Sequence, residues 1–287
     1  MQIDTLVEDI YAVVKKKDGW FNEQLAQKFS SHLAVRLTGH FAERSRPTLR
    51  LSGMGQRCPC ALWHSVHAPE MAEPLPAWAS IKYSFGHIIE ALTLELIRAA
   101  GHDVRGEQDE LVLDGIVGHR DCVVDGCIVD IKSASSISFT KLKYGKFNDM
   151  FGYLDQLDGY VLASANDPLV TVKDKGYILA VDKQLGHICL HRHEVTDERA
   201  RQLKARIAYY KSLVALKDPP VCECGTTTYG AAGNVALDTK ASYSPYKYCC
   251  KPNLRTFVYA SGPVFLTKVI RKPDVPEVDR YGKVVYH

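Results

Sequence analysis

Long apolar runs are missing. Nowhere in the 287 residues do about 18 uncharged apolar residues follow one another, which argues against a membrane-spanning helix. Met1 to Asp18 lacks the apolar centre and small-residue cleavage site of a secretory leader, so the chain reads as a protein kept inside a cell. A charge excess is missing too: 36 Lys plus Arg stand against 33 Asp plus Glu, so any polyanion-binding surface must be local. The nine cysteines are odd in number, Cys122, Cys127 and Cys189 sit in apolar strand-like runs, and no spacing matches a disulfide framework. Reduced thiols are the expectation. Repeats and low-complexity tracts are also absent. What remains, 46% hydrophobic, 24% charged and 9% aromatic, is the balance of an ordinary folded protein with enough chain for one large α/β domain or two small ones.

Helical periodicity over residues 1–47 (Ile3, Leu6, Ile10, Val13, then Phe21, Leu25, Phe29, Leu33) breaks at Asp18-Gly19 and ends at Arg46-Pro47, predicting two helices. Ser52 is placed to cap a short helix running to Trp63, and Pro69, Pro74 and Pro76 mark an extended connection. Residues 80–100 carry an apolar stripe (Ile81, Phe85, Ile88, Ile89, Leu92, Leu96, Ile97) stopped by Gly101, which predicts a long helix. Three antiparallel strands follow, at 110–113, 116–124 and 127–131, joined by tight turns at Asp114-Gly115 and Asp125-Gly126. A helix over 148–163, a strand pair at 177–181 and 188–191, and a charged helix over 197–216 complete the pattern. The expected division is a helical accessory region (1–78), an α/β core (79–217) and an irregular C-terminal wrap (218–287).

Acidic residues occur where apolar strands do not ordinarily tolerate them. Asp121 and Asp130 interrupt two such strands, and buried carboxylates are costly without a cation. Two carboxylates and the intervening Ile131 carbonyl form a hard oxygen set that suits Mg²⁺ or Mn²⁺. Lys132 lies two residues after Asp130, on the same strand face, where its ammonium could orient a metal-bound water and offset phosphate charge. By themselves these two residues more readily describe a solvated strand-end ion pair, because Asp-x-Lys is a common pattern. Gln156 and Tyr160 share one helix face, and Glu90 sits on the apolar stripe of its helix and points inward.

Gly86-x-x-x-Glu90, Gly118-His119-Arg120-Asp121, Val129-Asp130-Ile131-Lys132 and Gln156-x-x-x-Tyr160, in this order, resemble the PD-(D/E)XK nucleases of the RecB, CRISPR-associated and phage recombination exonuclease type. Leu51-Ser52-Gly53 and Pro252-Asn253-Leu254-Arg255 resemble segments of phage-encoded members. The resemblance implies a restriction-endonuclease-like mixed sheet flanked by helices and a divalent-metal-dependent DNA exonuclease of the bacterial or phage-infected cytoplasm. It would serve recombination, repair or degradation, with DNA ends and a recombination or replication protein as partners. Glu90, Asp121, Asp130 and the Ile131 carbonyl would hold the metal. Lys132 would activate the water, and Gln156 and Tyr160 would support that end of the site and hold the substrate strand. Asp130 stands where many relatives carry Glu. His87 is assigned to the neighbouring surface. The rivals are an endonuclease of the same fold and a non-catalytic nucleic-acid-binding subunit, although the latter need keep none of the four charged residues.

Many such relatives hold an iron–sulfur cluster on one early and three late cysteines. Cys58 and Cys250 stand near the first and last places, but Ala241 and Ser244 occupy the two between. An alternative zinc set, Cys222, Cys224, Cys249 and Cys250, has poor ligand spacing. The sequence therefore argues against a cluster or structural zinc. Lys141, Lys143, Tyr144, Lys146 and Phe147 interleave cations and aromatics, a composition that suits contact with a nucleic-acid strand as well as a solvated loop. Arg44, Arg46, Arg50 and Arg57 form a second basic stretch, and Trp63 and Trp78 read as core or packing residues.

Overall fold

The structure, a computed structural model, describes residues 1–17, 19–41, 48–55 and 57–286. Its helices are α1 (Leu6–Val14), α2 (Glu23–Phe41), α3 (Pro59–His67), α4 (Ala77–Ala99), α5 (Ser136–Lys143), α6 (Tyr153–Ala163), α7 (Asp197–Val214), α8 (Thr239–Ser242) and α9 (Lys247–Cys250). Its strands are β1 (Val104–Arg105), β2 (Glu110–Leu113), β3 (Ile116–His119), β4 (Cys122–Val124), β5 (Cys127–Ala134), β6 (Lys175–Asp182), β7 (Ile188–Glu194), β8 (Thr226–Tyr229), β9 (Asn234–Leu237), β10 (Arg255–Tyr259), β11 (Gly262–Lys268) and β12 (Glu277–Val278). Two compact units emerge: Met1–Ser45, Arg50–Gly55 and Pro76–Ala205 form one, and Arg46–Leu49, Gln56–Leu75 and Arg206–His287 the other.

The first unit is built on a five-stranded sheet in the order β1-β4-β5-β6-β7. Only β5 and β6 run parallel, and the connection between them carries α5 and α6; the other pairs are antiparallel. This is a mixed α/β arrangement, a five-stranded sheet flanked by helices, as expected. Cys127, Val129 and Ile131 pack with Leu94, Leu96 and Ile97 of α4 and with Leu6, Ile10 and Val13 of α1. The period of two then turns Asp130 and Lys132 to the other face of β5. Leu157 and Val161 of α6 lie against Gly176 of β6, where an added Cβ would stand 2.7 Å from Leu157 Cδ1. Both expected turns are left-handed at their two central residues: Asp114 and Gly115 have φ of 49° and 76°, Asp125 and Gly126 of 49° and 78°. That is the twist a two-residue hairpin needs.

Four expectations are corrected. The strand expected over 116–124 is two strands: β3 pairs with β2 in a separate hairpin, while β4 pairs with β5 in the main sheet. The break falls at Arg120-Asp121, because the Arg120 guanidinium is buried on Gly106 O, Asp109 and Asp167 and pulls the chain out of register. The helix expected from 148 starts at Tyr153. Asp149 accepts hydrogen bonds from the Tyr153 and Leu154 amides at 2.7 and 2.8 Å, and Gly152 at φ 76° turns the chain into the helix. Ser52 lies in a single 3₁₀ turn, and the short helix begins instead at Pro59, with Cys58 in the N-cap position. The α4 stripe is buried only in its C-terminal half; Ile81 and Phe85 are exposed, as is Trp78.

In the second unit, where the sequence suggests an irregular extension, five short antiparallel strands form a sheet in the order β12-β10-β11-β9-β8. Ala236, Phe257 and Leu266 are its core, and Arg255 on β10 makes a bidentate pair with Glu277 on β12. Trp63, also in this unit, donates its indole N–H to Leu216 O and stacks on His67. Among the described residues no helix is long and apolar enough to cross a membrane.

Gly55 and Gly152, both in the first unit, touch backbone to backbone. A Cβ on Gly152 would lie 2.4 Å from Gly55 Cα, and one on Gly55 2.7 Å from Gly152 Cα. The Gly152→Ala variant therefore combines an unfavourable positive φ with overlap against main chain that cannot rotate away. We expect it to lose at least about 2 kcal/mol of stability in urea denaturation. Loss below about 0.5 kcal/mol would contradict this contact.

Candidate active site

Asp130 on β5 is completely buried, and among the described residues no donor meets either carboxylate oxygen with full hydrogen-bond geometry. The Lys132 ammonium lies 2.7 Å from Asp130 Oδ2, close enough for an ion pair but without hydrogen-bond angles. Asp121, at the break between β3 and β4, accepts the Ile131 amide at 2.7 Å through Oδ2. That bond fixes the Asp121 carboxylate against β5 one residue from both Asp130 and Lys132. Glu90 reaches the same neighbourhood from α4. Gln108 joins the two acids, its amide nitrogen lying 3.3 Å from Glu90 Oε1 and 3.4 Å from Asp121 Oδ1.

Electrostatics sharpen the picture. Burial pushes the Glu90 carboxyl up to about 8, with the Asp121 charge adding to the effect and Arg36 opposing it. Burial likewise raises Asp130 to about 7 against the pull of Lys132. Burial alone would weaken the Lys132 ammonium, but Asp130 and Asp121 outweigh it and hold it protonated well above the ordinary lysine range. Tyr160 is raised by burial and by Asp130. Gln156 donates to the Tyr160 hydroxyl at 2.7 Å, and both side chains are buried, so they stand behind the acids. Gly118 makes room for this arrangement: a Cβ there would lie 2.9 Å from Tyr160 Cε1 and 2.7 Å from Leu51 Cβ.

Three participants escape the sequence reading. Arg36, on α2, pairs with Glu90 across 54 residues of chain. Gln108 holds a positive φ of 57°, a conformation rare for a residue with a side chain, and its amide N–H bonds Asp121 O. Tyr153, the first residue of α6, lies under Lys132, with the ammonium 5.3 Å from the ring centroid. Phe147 stacks on Tyr153 at 6.2 Å and 7°. No local pattern marks the first two. Tyr153 stands within the interrupted aromatic stretch that includes Tyr144 and Phe147.

By donor type, hard carboxylate oxygens, the set suits a divalent cation. A buried carboxylate answered only by the Lys132 ammonium, and a second acid held far above its ordinary range, are hard oxygens gathered with less positive charge than their number calls for. Arg36 supplies part of the missing positive charge to Glu90, and the neutral Gln108 amide adds only a hydrogen bond. In this arrangement the three acids do not bring one oxygen each within 4.8 Å of one another, a separation that only four cysteines meet among the described residues.

Lys141, Lys143, Tyr144 and Lys146 are exposed on α5 and the turn after it, with Lys143 over the Tyr144 ring at 5.7 Å. Phe139 and Leu142 anchor α5 by its buried face. His87 is half-buried. Arg50 and Arg57 are exposed in different units, and Arg44 and Arg46 lie outside the described residues.

No family model and no curated protein matches the chain. Among solved structures it is similar to an alkaline exonuclease from Laribacter hongkongensis, at 16% identity and a TM-score of 0.41 over 66% of this chain and 92% of that one. It is also similar to a phage-related exonuclease from Haemophilus somnus 129PT, at 14% identity and a TM-score of 0.32 over 73% and 94% of the two chains.

Glu90 and Asp130 hold protons in the folded state that the unfolded chain releases above about pH 4. Stability of the ion-free protein should therefore fall as pH rises from about 4 to about 8. Thermal midpoints in a chelating buffer at pH 5 and pH 8 test this. Asp130→Asn should flatten the slope and raise the midpoint at pH 8, and Mg²⁺ should raise that of the parent protein but not of the variant. An unchanged slope in Asp130→Asn would exclude Asp130 as its source.

Proposed function

We propose that the chain is a divalent-metal-dependent deoxyribonuclease that hydrolyses phosphodiester bonds from DNA ends. The observation that carries this reading is the completely buried Asp130 carboxylate paired with Lys132 on one strand face, beside Asp121 and Glu90. The four-motif resemblance to PD-(D/E)XK nucleases supports it. Glu90, Asp121, Asp130 and the Ile131 carbonyl would hold Mg²⁺ or Mn²⁺, whose chemistry at such a site is to acidify a water and neutralise phosphate charge.

The residues have distinct tasks. Lys132, kept cationic by its acidic neighbours, orients the attacking water and offsets charge on the pentavalent phosphate. Its ammonium is held over Tyr153. The buried Gln156–Tyr160 pair braces the Lys132 end of the strand, because loss of either partner leaves a polar group unsatisfied away from water. The Phe147–Tyr153 stack offers an aromatic surface beside the lysine. Lys141, Lys143 and Lys146 track the substrate backbone, and Tyr144 offers a ring on which a base stacks. Preference for ends over internal sites rests on the likeness of the Gln-x-x-x-Tyr helix to that of exonucleases. The setting that agrees with the resemblance is recombination, repair or degradation of DNA in the cytoplasm of a bacterial or phage-infected cell, alongside a recombination or replication protein.

A time course on end-labelled single- and double-stranded DNA, with Mg²⁺, with Mn²⁺ and with a chelator, tests the reading. We expect mononucleotide release only with metal. Asp130→Asn and Lys132→Met should each lower the rate by at least about 10²-fold while DNA binding persists. Cleavage of an oligonucleotide blocked at both ends would favour the endonuclease instead. Binding without degradation by the metal-loaded parent protein would overturn the enzyme reading.

A further inference from the structure

The second unit contains a cluster that the carboxylate site does not use. Cys58, at the N-cap of α3, Cys222 and Cys224 on the segment before β8, and Cys250 at the end of α9 bring four sulfurs within 4.8 Å of one another. Cys58 Sγ lies 4.0 Å from Cys222 Sγ and 3.9 Å from Cys250 Sγ, too far for disulfides and close to the separation of sulfurs sharing one ion. With Zn–S bonds of about 2.3 Å, the edge of a tetrahedron of thiolates is about 3.8 Å. In an iron–sulfur cubane each thiolate binds a different iron and points outward from it, so the ligand sulfurs stand much farther apart. We propose that Cys58, Cys222, Cys224 and Cys250 bind a single zinc ion as a closed tetrathiolate site.

The quartet differs from both sets considered from the sequence. Cys222 and Cys224 take the places where Ala241 and Ser244 would leave gaps. Cys249, in the alternative set, turns away and faces Met71 O at 3.6 Å. The Cys224 amide points at Cys222 Sγ across 3.5 Å, the kind of N–H contact that stabilises a bound thiolate. Cys60, Ala61, Ala72 and Tyr246 surround the cluster and limit access of water. Four thiolates with no other ligand complete the coordination of the ion, so its role is structural. It ties α3 to segments 164 and 192 residues later in the chain, the long closures for which a metal clip is most stabilising.

The test does not depend on nuclease activity. The full-length protein, purified without oxygen from cells supplied with both zinc and iron, should contain about one zinc per chain by elemental analysis, without acid-labile sulfide. Cys58→Ser and Cys250→Ser should lose it, whereas Cys60→Ser and Cys249→Ser should keep it. Should the first two fail to fold, Co²⁺ replacement in the parent protein provides the readout, with intense thiolate-to-metal charge transfer and the visible bands of a tetrahedral four-sulfur site expected. Iron with labile sulfide, a single iron in place of zinc, or metal-free protein with four titratable thiols would each overturn the proposal.

Discussion

A carboxylate completely removed from water must have its charge answered, and Asp130 sets that requirement for the first unit. It lies on β5, the strand paired on one side with β4 and on the other with β6, where solvent cannot reach it. Lys132 gives part of the answer, and the rest of the neighbourhood is arranged around this pair. Asp121 is tethered to the amide between them, Tyr153 lies beneath the ammonium, and Gln156 and Tyr160 close the space behind. The cost of this charge in an apolar sheet is offset in part by the Lys132 ammonium, and the side chains around the pair are placed by it.

Much of this was legible in the sequence because it follows from local periodicity. The period of two places Asp130 with Lys132, the period of 3.6 places Gln156 with Tyr160, and the two Asp-Gly dipeptides dictate their turns. The break at Arg120-Asp121 was not legible, because it depends on Arg120 finding Asp167, a partner 47 residues away. Arg36 is hidden for the same reason: nothing in a charged, weakly patterned helix announces an acid 54 residues later.

The second unit shows where pattern reading loses its grip. Strands of two to seven residues, one of them opening Thr-Thr-Thr, are too short for an alternation to stand out from a loop. Their sheet is defined by pairing between distant segments, such as β9 with β11 and β10 with β12. The cysteine quartet is legible only after folding too, since spacing along the chain is informative when ligands come in close pairs and not when they come from three separate places.

The touching main chains at Gly55 and Gly152 have a further consequence for how this sequence can vary over time. Neither position has freedom to drift alone, because a methyl group at one is a collision at the other. Inherited change there must come as a coordinated rerouting of two segments, so the pair works as a single unit of variation that also fixes where the helix bearing Gln156 and Tyr160 begins.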